Sequence, residues 1–282
     1  SEILARDGRL IVEPPSDENR TIVGIDDIPD VMRNMAGGFV KSQLQADRFN
    51  AIGVPNLHVT GELRFDQPIP QPLLDAAAAI APRLSGRPVV TIASAVAGED
   101  ALYIDVIRDL LSGGTNPLII YVPRAPERFD TVAVMLRDAG LSLARRSEMF
   151  DADLGPRQTQ GDWIDNTQVL LGDSLGEMYF YLALADKVVA GGGFLTSGAH
   201  NIIEPLALEK PVVTGPYTHT IENPFVEAQQ AGVAISVPDG AALAAALRGA
   251  SWASPEDITA FMAANSGASL RTCAAIRATL QS

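Results

Sequence analysis

The stretch Gly191–Pro205 (GGGFLTSGAHNIIEP) concentrates residue types that can do chemistry. Its three leading glycines follow a β-branched run, Lys187–Ala190, and glycines at a strand end let backbone approach a ligand closely. A helix starting near Ser197–His200 would aim unpaired N–H groups and a positive dipole end at a phosphate. Glu204, one turn further in, is acceptor-only and suits a ribose diol. The plainer alternative is a glycine-rich turn with an N-capping Ser or Asn and a solvated Glu. The clustering of His200, Asn201 and Glu204 at one mouth favours a ligand site.

Other strand-like runs end in residues of the same kind. Gly172-Asp173-Ser174-Leu175-Gly176-Glu177-Met178 follows 167–171. Either Ser174 and Glu177 form a capping box, or Ser174 and Met178 lie beside a bound nucleotide. Pro123-Arg124-Ala125-Pro126-Glu127 follows 117–122. Arg124 could fork onto a phosphate or pair with Glu127. Ser94 and Gly98 follow 87–93 and suit an anion site, while Glu99 and Asp100 read as carboxylates complementing a helix dipole. Asp151-Ala152-Asp153 resembles an Asp-X-Asp metal motif but reads as solvated within a polar loop. His219, after Gly215-Pro216-Tyr217, either reaches the same mouth or is an ordinary loop residue.

These mouths need a parallel sheet to align them. From about residue 55 onward short runs alternate with helical patterns. The runs are 56–60, 87–93, 117–122, 141–145, 167–171, 187–190, 211–214 and 233–237. The helical patterns lie at about 71–84, 98–112, 126–139, 175–185, 200–209, 222–231 and 240–249. This rhythm predicts an α/β fold, a Rossmann-like, doubly wound parallel sheet with ligands outside the carboxyl ends of its strands. Residues 1–50 break the rhythm: a possible strand, Pro14-Pro15, a polar cluster, then helix, Gly37-Gly38, short strand and helix. Residues 255–282 read as a terminal helical segment. The expected division is 1–50, 51–254 and 255–282.

Composition narrows the function classes. The chain has 282 residues, 47% hydrophobic and 6% aromatic, enough for a sizeable core of helices on a sheet. A net charge of −13 argues against a nucleic-acid partner, which needs basic patches. One cysteine, Cys273, cannot form an intrachain disulfide, and reads as a small residue in a C-terminal helix. Cys273 with His58, His200 and His219 gives no zinc spacing. No apolar run of membrane-spanning length and no signal segment occurs, so the expected location is cytoplasmic.

Taken together, the segments resemble the C-terminal domain of the lipid A Kdo transferases, the 3-deoxy-D-manno-octulosonic acid transferases. VTGELRFD (59–66), VPRAPERFD (122–130), GDSLGEM (172–178), GGGFLTSGAHNIIEPLA (191–207), KPVVTGPYTHTIEN (210–223) and NSGASLRT (265–272) match family segments in order. The similarity covers roughly residues 39–282. It implies a GT-B fold, a CMP-Kdo or related nucleotide-sugar donor, and a glycolipid acceptor at the cytoplasmic face of the inner membrane, with peripheral membrane contact. It requires no metal or other cofactor. By resemblance, Ser94 belongs to the donor site and Arg124 contacts the CMP portion. Ser174 and Met178 line the nucleotide pocket. Gly192, Gly193, His200 and Asn201 face phosphate and sugar carboxylate, and Glu204 holds a ribose hydroxyl.

The departures fall near the expected donor. The family's S-T-H-x-G-E reads Ser94-Ala95-Val96-Ala97-Gly98-Glu99, P-R-H reads Pro123-Arg124-Ala125, H-N-P reads His200-Asn201-Ile202, and T-G-N-L-K reads Thr60-Gly61-Glu62-Leu63-Arg64. The family's N-terminal acceptor domain carries its general base. Here it is expected to be truncated or reduced, leaving no evident catalytic base and an apolar face suited to self-association into a homo-oligomer. The alternatives are a non-catalytic GT-B-like module, or a UDP-sugar epimerase or another GT-B transferase.

Overall fold

In a computed structural model the described residues are Met35, 37–84, 86–157 and 163–281, with the strand backbones Ile3–Leu4 and Leu10–Val12. The helix expected before Gly37 and the Pro14-Pro15 turn lie outside them. In chain order the strands are β1 (Ile3–Leu4), β2 (Leu10–Val12), β3 (Gly38–Val40), β4 (Leu57–Val59), β5 (Val89–Ala95), β6 (Leu118–Pro123), β7 (Leu143–Arg145), β8 (Val169–Leu171), β9 (Lys187–Ala190), β10 (Val212–Thr214) and β11 (Ala234–Ser236). The main helices are α1 (Gln43–Ala51), α2 (Gln71–Ile80), α3 (Asp100–Ser112), α4 (Phe129–Asp138), α5 (Met178–Leu184), α6 (Ile203–Leu206), α7 (Glu222–Gln230), α8 (Gly240–Arg248), α9 (Pro255–Asn265) and α10 (Ala268–Gln281). The chain divides into two compact units, Ser1–Asp66 with Asn265–Ser282, and Gln67–Ala264.

In the first unit β1 and β2 pair antiparallel, and β3 and β4 pair in parallel through Gly38↔Leu57 and Val40↔Val59. The expected strand 56–60 is therefore real but belongs to this pair, not to the main sheet. Periodicity shows that a segment extends, not which neighbour it meets. Asp66 caps α10 by accepting the Gly267 and Ser269 N–H groups, each at 2.6 Å, which holds its carboxyl below the ordinary value. Glu62, where the family motif has a neutral amide, is buried and ion-paired with Lys41 at 2.5 Å. Cys273 lies exposed on α10.

The second unit is a seven-stranded, all-parallel sheet in the order β11-β10-β9-β5-β6-β8-β7. Every residue of β6 and β8 is buried, as expected for strands covered on both faces. Ile119 and Tyr121 pack with Tyr103, Ile107, Val132, Leu136 and Leu243 from α3, α4 and α8. Leu118, Ile120 and Val122 pack the other way, with Ala77, Ile80, Phe180 and Tyr181 from α2 and α5. The alternation of side chains along a strand divides one run of apolar residues between two cores. Truncating such a residue to Ala costs about 2–5 kcal/mol.

The expected doubly wound α/β fold is thus present. From β5 the chain moves to β6, crosses to the edge strand β7, comes back to β8 between β6 and β7, then crosses to β9 on the other side of β5 and continues outward through β10 to β11. The order reverses between β5 and β9, and in open α/β sheets that reversal is where ligands bind.

Candidate functional site

The loops after β5 and β9 face each other across the reversal. β5 and β9 are hydrogen-bonded neighbours up to Ala93↔Ala190. One residue later the register against β6 shifts, and Ser94 adopts φ +58°. A left-handed, non-glycine residue costs about 1–3 kcal/mol and recurs at functional sites, as do bulges. Here it brings Ser94 beside Gly191, where an added methyl would lie 2.8 Å from the Ser94 carbonyl carbon.

The glycine-rich stretch does not run into the expected helix at Ser197–His200. Residues 191–197 turn repeatedly, and the helix is the single turn α6, Ile203–Leu206. The N–H groups expected to face a phosphate are mostly met by protein. Gly191 donates to Ala93 O at 2.8 Å, Gly192 to Glu99 Oε2 at 2.8 Å, and Phe194 to Glu99 Oε1 at 3.1 Å. Ala199 donates to Tyr217 O at 2.8 Å, and His200 to Gly191 O at 2.9 Å. Gly192 has φ +85° and abuts the Gly198 carbonyl, and Gly193 packs on Thr214 and Gly215, where a methyl would meet Gly215 N at 2.6 Å. Both glycines are buried, and close backbone packing requires them.

Glu99 and Asp100 are correspondingly more than dipole complements. Both are buried. Asp100 accepts from Tyr121 Oη at 2.7 Å and from Arg128 Nη2 at 2.7 Å. Arg128 also donates to Ala95 O at 2.6 Å, and the Arg124 N–H reaches the same carbonyl at 2.9 Å. The loop after β6 is thereby fastened to the end of β5. Arg124 itself is exposed and forms no ion pair with Glu127 or any other described carboxylate.

The end of β8 carries a second polar network. Helix α5 begins at Met178 with Glu177 as its N-cap residue and no side-chain cap, so the capping box, one of the two alternatives for Ser174, is not formed. Ser174 instead donates to the Glu177 carboxylate and shares a hydrogen bond of 2.6 Å with Tyr181 Oη, while Arg146 pairs with Glu177. Asp173 accepts from Arg145 Nε at 2.7 Å and from Ser147 N and Oγ at 2.8 and 2.6 Å. Arg145 and Arg146 were not singled out by the sequence reading. The available signal was an Arg pair at the end of a strand, as Arg124 follows the end of β6. Met178 is half-buried against Ala93, Leu182 and Val188, so its side chain packs on the core.

His200 combines burial with an unmet polar atom. Burial, then the charge of Arg124, push its imidazole down to about 4, so it is neutral at pH 7. Its Nε2 is buried and has no hydrogen-bond partner among the described residues. Asn201 Oδ1 accepts the Ile203 N–H at 2.9 Å, an Asx turn that starts α6. Glu204 lies beside Tyr179, whose phenol is raised by burial and then by that carboxylate. The His219 ring lies beside the glycine-rich stretch, its Cε1 3.1 Å from where a methyl on Gly198 would stand.

Asp151 uses Oδ1 to accept the Asp153 and Gly155 N–H groups at 3.0 and 2.8 Å, holding its own loop. Among the described residues no three His, Cys, Asp or Glu side chains cluster as metal ligands. Two cavities of about 440 and 420 Å³ lie elsewhere, one by Leu102, Asp105 and Gly240, the other by Val89, Lys187 and Leu247.

No family model matches the chain. It is 40% identical over 227 residues to the 3-deoxy-D-manno-octulosonic acid transferase of Bordetella pertussis, covering 77% of this chain and 50% of that protein. The Haemophilus influenzae enzyme of the same name is 32% identical over 188 residues, 66% of this chain and 42% of its own. The chain thus spans about half the length of these relatives. Among solved structures, the C-terminal CMP-Kdo binding domain of WaaA from Acinetobacter baumannii aligns with TM-score 0.54 and 26% identity over 76% of this chain and all of that one. Anabaena HepE, solved with UDP and glucose, shares the fold at TM-score 0.52 and 14% identity, over 89% of this chain and 64% of that one. By these identities and this fold the chain belongs to the 3-deoxy-D-manno-octulosonic acid transferase family, as a counterpart of its C-terminal domain.

Proposed function

We propose that the Gln67–Ala264 unit binds a CMP-activated acidic sugar, CMP-Kdo or a close relative, for transfer to a lipid A-type glycolipid. One observation carries the reading: the Arg124 guanidinium, which forms no ion pair among the described residues, lies near enough to His200 to depress its imidazole, whose Nε2 has no hydrogen-bond partner among the described residues. A cation and a neutral, unmet imidazole suit the phosphate and carboxylate of such a donor. Arg124 would steady the departing CMP phosphate, and Glu204 would take a ribose hydroxyl. Ser174 and Asn201, whose side chains are hydrogen-bonded within the protein, Gly192 and Gly193, which close packing requires, and Ser94, which shapes the end of β5, serve in this reading chiefly as framework.

No helix among the described residues is long and apolar enough to cross a membrane. A second reading, a binding module without turnover, is favoured by Ala95 and Val96, which stand where the family motif has Thr and His. Calorimetric titration with CMP and UMP tests the donor site. CMP should bind, and Glu204→Ala should weaken it about tenfold, the loss of one hydrogen bond to a charged group. An absence of cytidine nucleotide binding sinks the reading. Turnover of CMP-Kdo with a lipid A precursor eliminates the module.

A further inference from the structure

Glu99 is a carboxylate with 1% of its surface exposed. No ion pair to it occurs among the described residues. Burying a charge without a counterion is costly unless its lone pairs are met. Here backbone meets them: Oε2 accepts from Gly192 N at 2.8 Å and Val96 N at 3.3 Å, and Oε1 from Phe194 N at 3.1 Å. Hydrogen bonds to an ionised acceptor are roughly twice as strong as neutral ones. Their donors come from both loops, so the carboxylate ties one side of the crevice to the other.

The linkage continues to the ligand-facing side chain. Gly191 O holds the His200 N–H at 2.9 Å, and a methyl on Gly192 would lie 3.2 Å from His200 Cδ2. From behind, the Phe194 ring stands edge-on to Tyr103 at 6.0 Å, and Tyr103 is fully buried. A movement of the Gly192 backbone would therefore carry His200 with it.

We propose that Glu99 is the positioning residue of the crevice. Its carboxylate fills the nest that a glycine-rich turn would otherwise offer to a phosphate, and so fixes the turn and the His200 ring. Donor anions are then left to side chains. The affinity arm of the test rests on the donor reading above; the backbone arm does not.

Glu99→Gln keeps the size but replaces one acceptor oxygen with a donor. Hydrogen exchange at the Gly192 and Phe194 amides, followed by NMR without ligand, should accelerate at least tenfold. CMP affinity should fall at least tenfold in the same variant. Glu99→Asp, which keeps the charge, should recover part of both. If exchange at these two amides matches the parent, the proposal is overturned. It is equally overturned if exchange accelerates but CMP affinity holds, because Glu99 would then stabilise without positioning. Should Glu99→Gln not fold, Glu99→Asp is read by the same two measurements against the same two outcomes. If the parent binds no CMP, the donor reading fails and amide exchange alone decides the role of Glu99.

Discussion

At the amino-terminal edge of the sheet, Arg87 donates to the carbonyls of Asn116, Pro117, Ile164 and Thr167 at 2.6–3.1 Å. Lys187 Nζ donates to Ala246, Leu247 and Gly249 carbonyls at 2.5–3.1 Å, near the C-terminus of α8, and sits over Trp252. Asp186 accepts the Val89 N–H at 2.8 Å. At the carboxyl-terminal edge of the same strands, Arg124 and His200 Nε2 have no ion-pair or hydrogen-bond partner, respectively, among the described residues, and Ser94 is held in a left-handed conformation. One edge spends its polar groups on its own backbone. The other keeps some unspent and tolerates strain. The contrast separates residues that hold the sheet together from residues available to a ligand.

Substitutions can break that contrast. Gly193→Ala should have the largest effect, because the methyl would overlap the buried Thr214 Oγ1 and the backbone N of Gly215. A loss above about 3 kcal/mol is expected, read as a shift in the urea midpoint. Arg87→Met comes next. It should cost about 2–3 kcal/mol by stranding carbonyls at the lower edge, while CMP affinity in the surviving folded fraction stays within twofold. Arg124→Ala should show the reverse: stability within about 0.5 kcal/mol of the parent, and CMP binding weaker by about 10–100-fold. Equal effects of the two Arg substitutions on stability would dissolve the comparison.

The smallest effect concerns pH. The folded His200 imidazole titrates near 4, below its ordinary value of 6.5. Between those values the unfolded chain binds the extra proton, so stability is complete above 6.5 and declines as pH falls toward 4. His200→Gln should flatten part of that slope, measured by urea unfolding at pH 7 and pH 4.5. An unchanged slope would place the acid sensitivity elsewhere.

The sheet was legible because its strands are short, β-branched and regularly spaced, and 56–60 was misplaced because pairing is a long-range event. The glycine-rich stretch was correctly placed at a strand end but misread in detail. Which acceptor meets the Gly192 N–H is decided by Glu99, 93 residues away, and no local pattern reports that. The same holds for Arg128, whose partner Asp100 lies 28 residues earlier, and for Ser174, whose local capping signal was outcompeted by Tyr181 and Arg146. The Arg145-Arg146 pair was visible by the rule that singled out Arg124, applied one strand further along.

The pairing of β5 with β9 also has a kinetic meaning. Val90 and Lys187 are partners, so the crevice closes a loop of nearly a hundred residues, and closure entropy must be overcome before that contact rewards it. Strands β5 to β8 can assemble on a growing chain before β9 is made, but the site cannot. Acquisition of nucleotide binding during refolding should therefore lag the formation of secondary structure, marking the moment when the two halves of the sheet meet.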